Sequence, residues 1–94
     1  MARGIWVRLI KHGKIKESNV QPCAAEDWED ALTEACRQLD APKPVILPRH
    51  ERDYAQFHQA RFLPEHFVES VAFDRMEVEY IDPEAKGSVN EKYL

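Results

Sequence analysis

An α+β fold follows from three patterns in the 94 residues. Apolar positions alternate over residues 5–10 and again near residue 80, whereas residues 24–39 repeat theirs at helical spacing. The elements expected in chain order are strand, strand, helix, strand, helix, strand. Such an order makes a small, mostly antiparallel sheet from an N-terminal hairpin, a short middle strand and a C-terminal strand. With two helices on one face of the sheet, the polar strand faces stay in water.

Residues 4–21 read as the hairpin. Ile5, Val7 and Leu9 alternate with Trp6, Arg8 and Ile10, and His12-Gly13 then turns the chain into Lys14-Ile15-Lys16. The return strand holds Lys14, Lys16, Glu17, Ser18 and Asn19, the polarity of a sheet edge where lysines discourage pairing with another chain. From Ala24 to Leu39, residues Ala25, Trp28, Ala31, Leu32, Ala35, Cys36 and Leu39 form one apolar stripe. Acidic residues crowd the first turns of this helix and Arg37 sits near its end, as the macrodipole prefers. Pro42 and Pro44 stop it.

Val45-Ile46-Leu47, between two prolines, reads as the short third strand. Arg49 to Phe62 lacks glycine, proline and β-branched residues and reads as the second helix. Its apolar phase then shifts from odd positions (Val71, Phe73) to even ones (Met76, Val78, Tyr80), which calls for a bulge or turn at Asp74-Arg75 before the last strand. Residues 1–81 make a single domain and residues 82–94 a flexible tail. No internal repeat stands out.

Composition narrows the function. With 44% hydrophobic residues, six prolines and three glycines, the chain is neither collagen-like nor disordered. No apolar run approaches the roughly 18 residues of a membrane span. Met1-Ala2-Arg3-Gly4 leads straight into Ile5-Trp6-Val7, without an apolar leader, so a cytoplasmic location is expected. The net charge of −4 is segregated: residues 1–20 carry five basic residues against one acidic, residues 21–41 one against six. Whole-protein attraction to nucleic acid is therefore not expected, although a local basic surface is compatible with the pattern. Cys23 and Cys36 lie about 18 Å apart along a helix, beyond the ~7 Å reach of a disulfide, and two free thiols suit a reducing compartment.

The strings Ile5-Trp6, Pro44-Val45-Ile46-Leu47, Phe67-Val68-Glu69-Ser70 and Phe73-Asp74 are similar to those of an uncharacterised family of short proteins from Gram-positive anaerobic bacteria. The resemblance covers about residues 4–81. It implies a bacterial cytoplasmic origin and a self-contained small domain, and supplies no activity, ligand or site.

Chemistry-bearing groupings are sparse. His50 and His58 on one helix would stand about 12 Å apart, too far to share a metal whose ligands lie at about 2.0–2.3 Å. The paired acids Glu26-Asp27, Glu29-Asp30 and Glu77/Glu79 belong to a wet helix face and an alternating strand. The glycines form no phosphate loop and the serines no nucleophile elbow. No enzyme, no catalytic residue, no metal and no cofactor is expected. The second helix draws most interest: His50, Tyr54, Phe57, His58 and Arg61 share a face, and Trp6 on the first strand joins them if it points outward. Aromatic and arginine residues are those enriched at interface hot spots. The expected function is a small protein-interaction domain, self-associating as a homodimer or adaptor-like. The alternative is a nucleic-acid-binding module using the basic hairpin and this helix.

Overall fold

The computed structural model describes residues 3–82. It is an α+β domain: four antiparallel strands in one sheet and two helices. Strands β1 (Gly4–Lys11) and β2 (Lys14–Pro22) form the hairpin. Helices α1 (Trp28–Gln38) and α2 (Pro48–Phe57) follow, then strands β3 (Gln59–Phe62) and β4 (Arg75–Ile81). The strand order is β2-β1-β4-β3, so β2 is an edge, as its polarity predicts, and β3 is the other.

The hairpin turns on two residues, His12 (φ 54°) and Gly13 (φ 75°), both left-handed as a tight type I′ turn requires. At Gly4 the opposite strand comes so close that a Cβ would stand 2.2 Å from the Gln21 carbonyl oxygen. One residue is inserted in β2 where the register slips between Leu9 and Ile10, a bulge the sequence pattern did not announce.

Helix α1 is preceded by a single 3-10 turn at Ala25–Asp27 and ends in a Schellman motif. Asp40 takes the left-handed conformation, its N–H reaching the Arg37 carbonyl and that of Ala41 the Cys36 carbonyl. The apolar stripe of α1 is buried as expected at Trp28, Ala31, Leu32, Ala35 and Cys36. It packs on the sheet face formed by Ile5, Val7, Leu9, Ala60, Phe62, Met76 and Val78. Tyr54 of α2 stacks on Trp28 with ring centroids 4.4 Å apart, and its hydroxyl donates to the Ala25 carbonyl at 3.0 Å.

Two element positions differ from the sequence reading. Val45-Ile46-Leu47 joins no strand. Pro44 and Pro48 flank it and lack N–H groups, and Val45 N–H instead donates to the His66 carbonyl at 2.8 Å. The second helix stops at Phe57, because His58 turns left-handed (φ 57°) and Gln59–Phe62 pairs with β4. The third strand therefore comes after the second helix. Ala60 and Phe62 face inward and Gln59 and Arg61 outward, and their pairing overrides the helical composition. The apolar phase change is absorbed by an irregular stretch ending at Asp74, directly before β4 begins at Arg75. Asp74 ties it down by donating its N–H to the Ile10 carbonyl and accepting from His12 N–H. The expected tail lies outside the described residues from 83 onward. Among the described residues no helix is long and apolar enough to cross a membrane.

The opposite sheet face is ionic. Arg8 pairs with Glu77 (3.2 Å) and Glu79 (3.0 Å), and its guanidinium lies 4.4 Å from the centre of the Trp6 ring. Glu77 also takes Arg75 at 2.6 Å and Arg61 at 3.9 Å. The three guanidinium groups outweigh the opposing effect of burial and lower its pKa.

Candidate functional site

Leu47-Pro48-Arg49-His50 and Leu63-Pro64-Glu65-His66 repeat one four-residue pattern, and the chain folds both copies alike. In each, the leucine is extended and the proline opens a helical turn, where its missing N–H is no loss. The histidine three residues on turns back: Nδ1 of His50 accepts the Leu47 N–H and Nδ1 of His66 the Leu63 N–H, both at 2.9 Å. Histidine here replaces the Glu or Gln that usually closes a capping box. An imidazole that accepts at Nδ1 carries its hydrogen on Nε2, so both rings present Nε2 as a donor.

The two rings meet edge to face with centroids 4.6 Å apart, and His50 lies 4.3 Å from the Phe62 ring. His50 is 2% exposed and His66 6%. Nε2 of His50 is buried without a hydrogen-bond partner; the Arg61 backbone is near enough to favour the charged ring slightly but not placed to close a bond. Nε2 of His66 meets the guanidinium of Arg49, a group that has only hydrogens to offer. The Glu65 carboxylate stands 4.0 Å away, beyond bonding distance. Burial lowers the His50 pKa, the neighbouring His66 and Arg49 lower it further, and Asp53 pulls the other way.

Beside these rings, at the β3 edge, is a cavity of about 470 Å³. Arg49, His50, Asp53 and Phe57 from α2, Arg61 from β3, and His66 line it. Pairing of the His58 carbonyl with Tyr80 N–H sets the β3 register, so the backbone groups of Gln59 and Arg61 turn away from β4 toward this side. Phe57 is 60% exposed and Leu63 38%, which gives the rim apolar surface among the cations.

The structure divides the sequence-predicted candidates. His50, Phe57 and Arg61 come together around the cavity. Tyr54 is buried against Trp28, and His58 caps α2 with its ring between Tyr54 (5.9 Å) and Tyr80 (5.6 Å). Trp6 lies under Arg8 on the ionic face of the sheet. The five residues expected on one helix face therefore do not share it, because α2 ends at Phe57, before His58 and Arg61. Sequence reasoning missed Arg49, Asp53 and His66, and the signal was present in the repeated Leu-Pro-x-His. Among the described residues no group of three or more His, Cys, Asp or Glu side chains is placed to hold a metal ion. Both thiols are free; burial raises the pKa of Cys23, with Asp27 adding to it, and pushes Cys36 up to about 11.

No protein-family model matches the chain, and no curated protein or solved structure is detectably similar to it. The likeness to short proteins of Gram-positive anaerobes thus rests on its quoted strings alone.

Proposed function

We propose that this is a cytoplasmic protein-interaction domain that docks an acidic segment of a partner protein on the cavity at the β3 edge. The observation that carries the reading is the composition of that rim. Exposed Phe57 and Leu63 stand beside Arg49 and Arg61, pairing apolar area with positive charge as interface centres do. The other edge, β2, carries the lysines that discourage pairing. A nucleic-acid role draws less support. The basic hairpin turn with Lys11 and Lys14 joins β1 to the β2 edge, whereas Arg49 and Arg61 gather at the β3 edge, so the two do not merge into one basic face.

The test is a titration of isotopically labelled protein with a short glutamate-rich peptide, a lysine-rich peptide and a single-stranded oligonucleotide. The glutamate-rich peptide is expected to shift the amides of Arg49, Phe57 and Arg61, and Phe57→Ala to weaken that binding by about tenfold. Silence at those amides, or an equal response to the oligonucleotide, defeats the reading. Light scattering at two salt concentrations shows whether the chain self-associates and so whether the partner is a second copy.

A further inference from the structure

We infer that the cavity beside α2 is a site for a single oxyanion, held by His50, His66 and Arg49. The inference deepens the reading above by naming the chemical group a partner must present. Three donor groups lie beside the cavity and none closes a hydrogen bond to an acceptor, although the Arg61 backbone stands near His50 and the Asp53 and Glu77 carboxylates also line the cavity. The Nε2 hydrogen of His50 is buried and unpartnered, the Nε2 hydrogen of His66 faces a guanidinium, and that guanidinium faces it in return. Buried donors left unpaired are costly, and native proteins keep few of them. One carboxylate or phosphate oxygen group satisfies all three.

The position of Arg49 argues the same way. It occupies the second residue of α2, where the helix N-terminus is already positive and a cation is locally unfavourable. It makes no carboxylate pair among the described residues, and its polar contact is the donor–donor meeting with His66. A helix N-terminus, a free arginine and a pair of Nε2–H groups are together suited to an anion. With the two rings pinned by their Leu47 and Leu63 hydrogen bonds, neither can turn its Nδ1 lone pair to the cavity instead. Arg49 is exposed on the first turn of α2 and lines the cavity, so an anion reaches it from solvent.

Acetate and inorganic phosphate, each titrated at constant ionic strength against a chloride control, are the probes, and the nitrogen-15 and proton shifts of the two imidazole rings are the readout. Saturable movement of both Nε2–H signals, about tenfold weaker in Arg49→Gln and unchanged in Arg52→Gln, is expected. Movement with acetate assigns the anion to a carboxylate, as the docking of an acidic segment requires. Movement with phosphate alone keeps the oxyanion site and removes that docking reading. No movement beyond the chloride control, or an undiminished response in Arg49→Gln, overturns the site.

Discussion

Leu47–His50 and Leu63–His66 begin with the same residues, the same extended leucine and the same histidine cap, yet the first opens a ten-residue helix and the second a single turn. The difference lies downstream. After His50 come good helix formers and then Tyr54, one turn on, which buries itself on Trp28. After His66 comes Phe67, which must be buried at once and takes an extended backbone to pack on Phe73 with ring centroids 5.3 Å apart. A capping pattern nucleates a turn, and tertiary burial decides how far the helix runs.

Removing each cap tests that contrast. His50→Ala deletes a fully buried ring from between Phe62 and His66 and uncaps a helix, so a loss of about 2–3 kcal/mol in urea unfolding is expected. His66→Ala uncaps one turn and leaves α2 intact, and about 1–2 kcal/mol is expected. Equal losses would mean that the two turns contribute alike and that the length of α2 adds nothing to the role of its cap.

Acid tests His50 in a second way. The folded pKa of His50 lies below its ordinary value of 6.5, chiefly through burial, so the unfolded chain takes up a proton that the folded chain refuses. The stability this residue contributes is whole above about pH 6.5 and falls as the pH drops toward the folded pKa. The loss of stability across that window, measured by denaturant melts, should be steeper in the wild type than in His50→Gln. Glu77, whose arginine partners lower its pKa from 4.5 against the opposing effect of burial, loses its contribution only below about pH 4.5, so the onset just under pH 6.5 belongs to His50. Identical slopes for the two proteins would refute a depressed His50 pKa.

How much of this was legible in the sequence depends on where each element draws its stability. The stripe of α1 and the alternation of β1 are local signals, and both elements form where they point. Strand β3 is not local: Gln59-Ala60-Arg61-Phe62 has a helical composition and becomes a strand only because β4 offers it a partner. That single misreading placed Arg61 on the second helix and produced the idea of one mixed aromatic and basic face. The repeated Leu-Pro-x-His was legible, since proline at the first helical position is a known start signal. Its histidine cap was harder to see, because Glu and Gln normally hold that place. That the two rings then touch depends on tertiary packing that no spacing reveals.

The third residue of the repeat gives the finest test of how the turns differ, because it is Arg49 in one and Glu65 in the other. A glutamate in the first turn suits the helix dipole, and an arginine opposes it. Arg49 moreover points hydrogens at a ring that already presents one. Arg49→Gln removes the cation and supplies an amide oxygen that His66 Nε2–H can use. In the free protein this change is expected to raise stability by about 0.3–1 kcal/mol in thermal or denaturant unfolding. The same change weakens the oxyanion site, so stability and binding move in opposite directions. Opposed signs of this kind mark a residue kept for what it binds, since natural sequences break local rules where function requires it. A loss of stability in Arg49→Gln would instead show that the guanidinium supports the fold, and that the two turns differ at this position for packing alone.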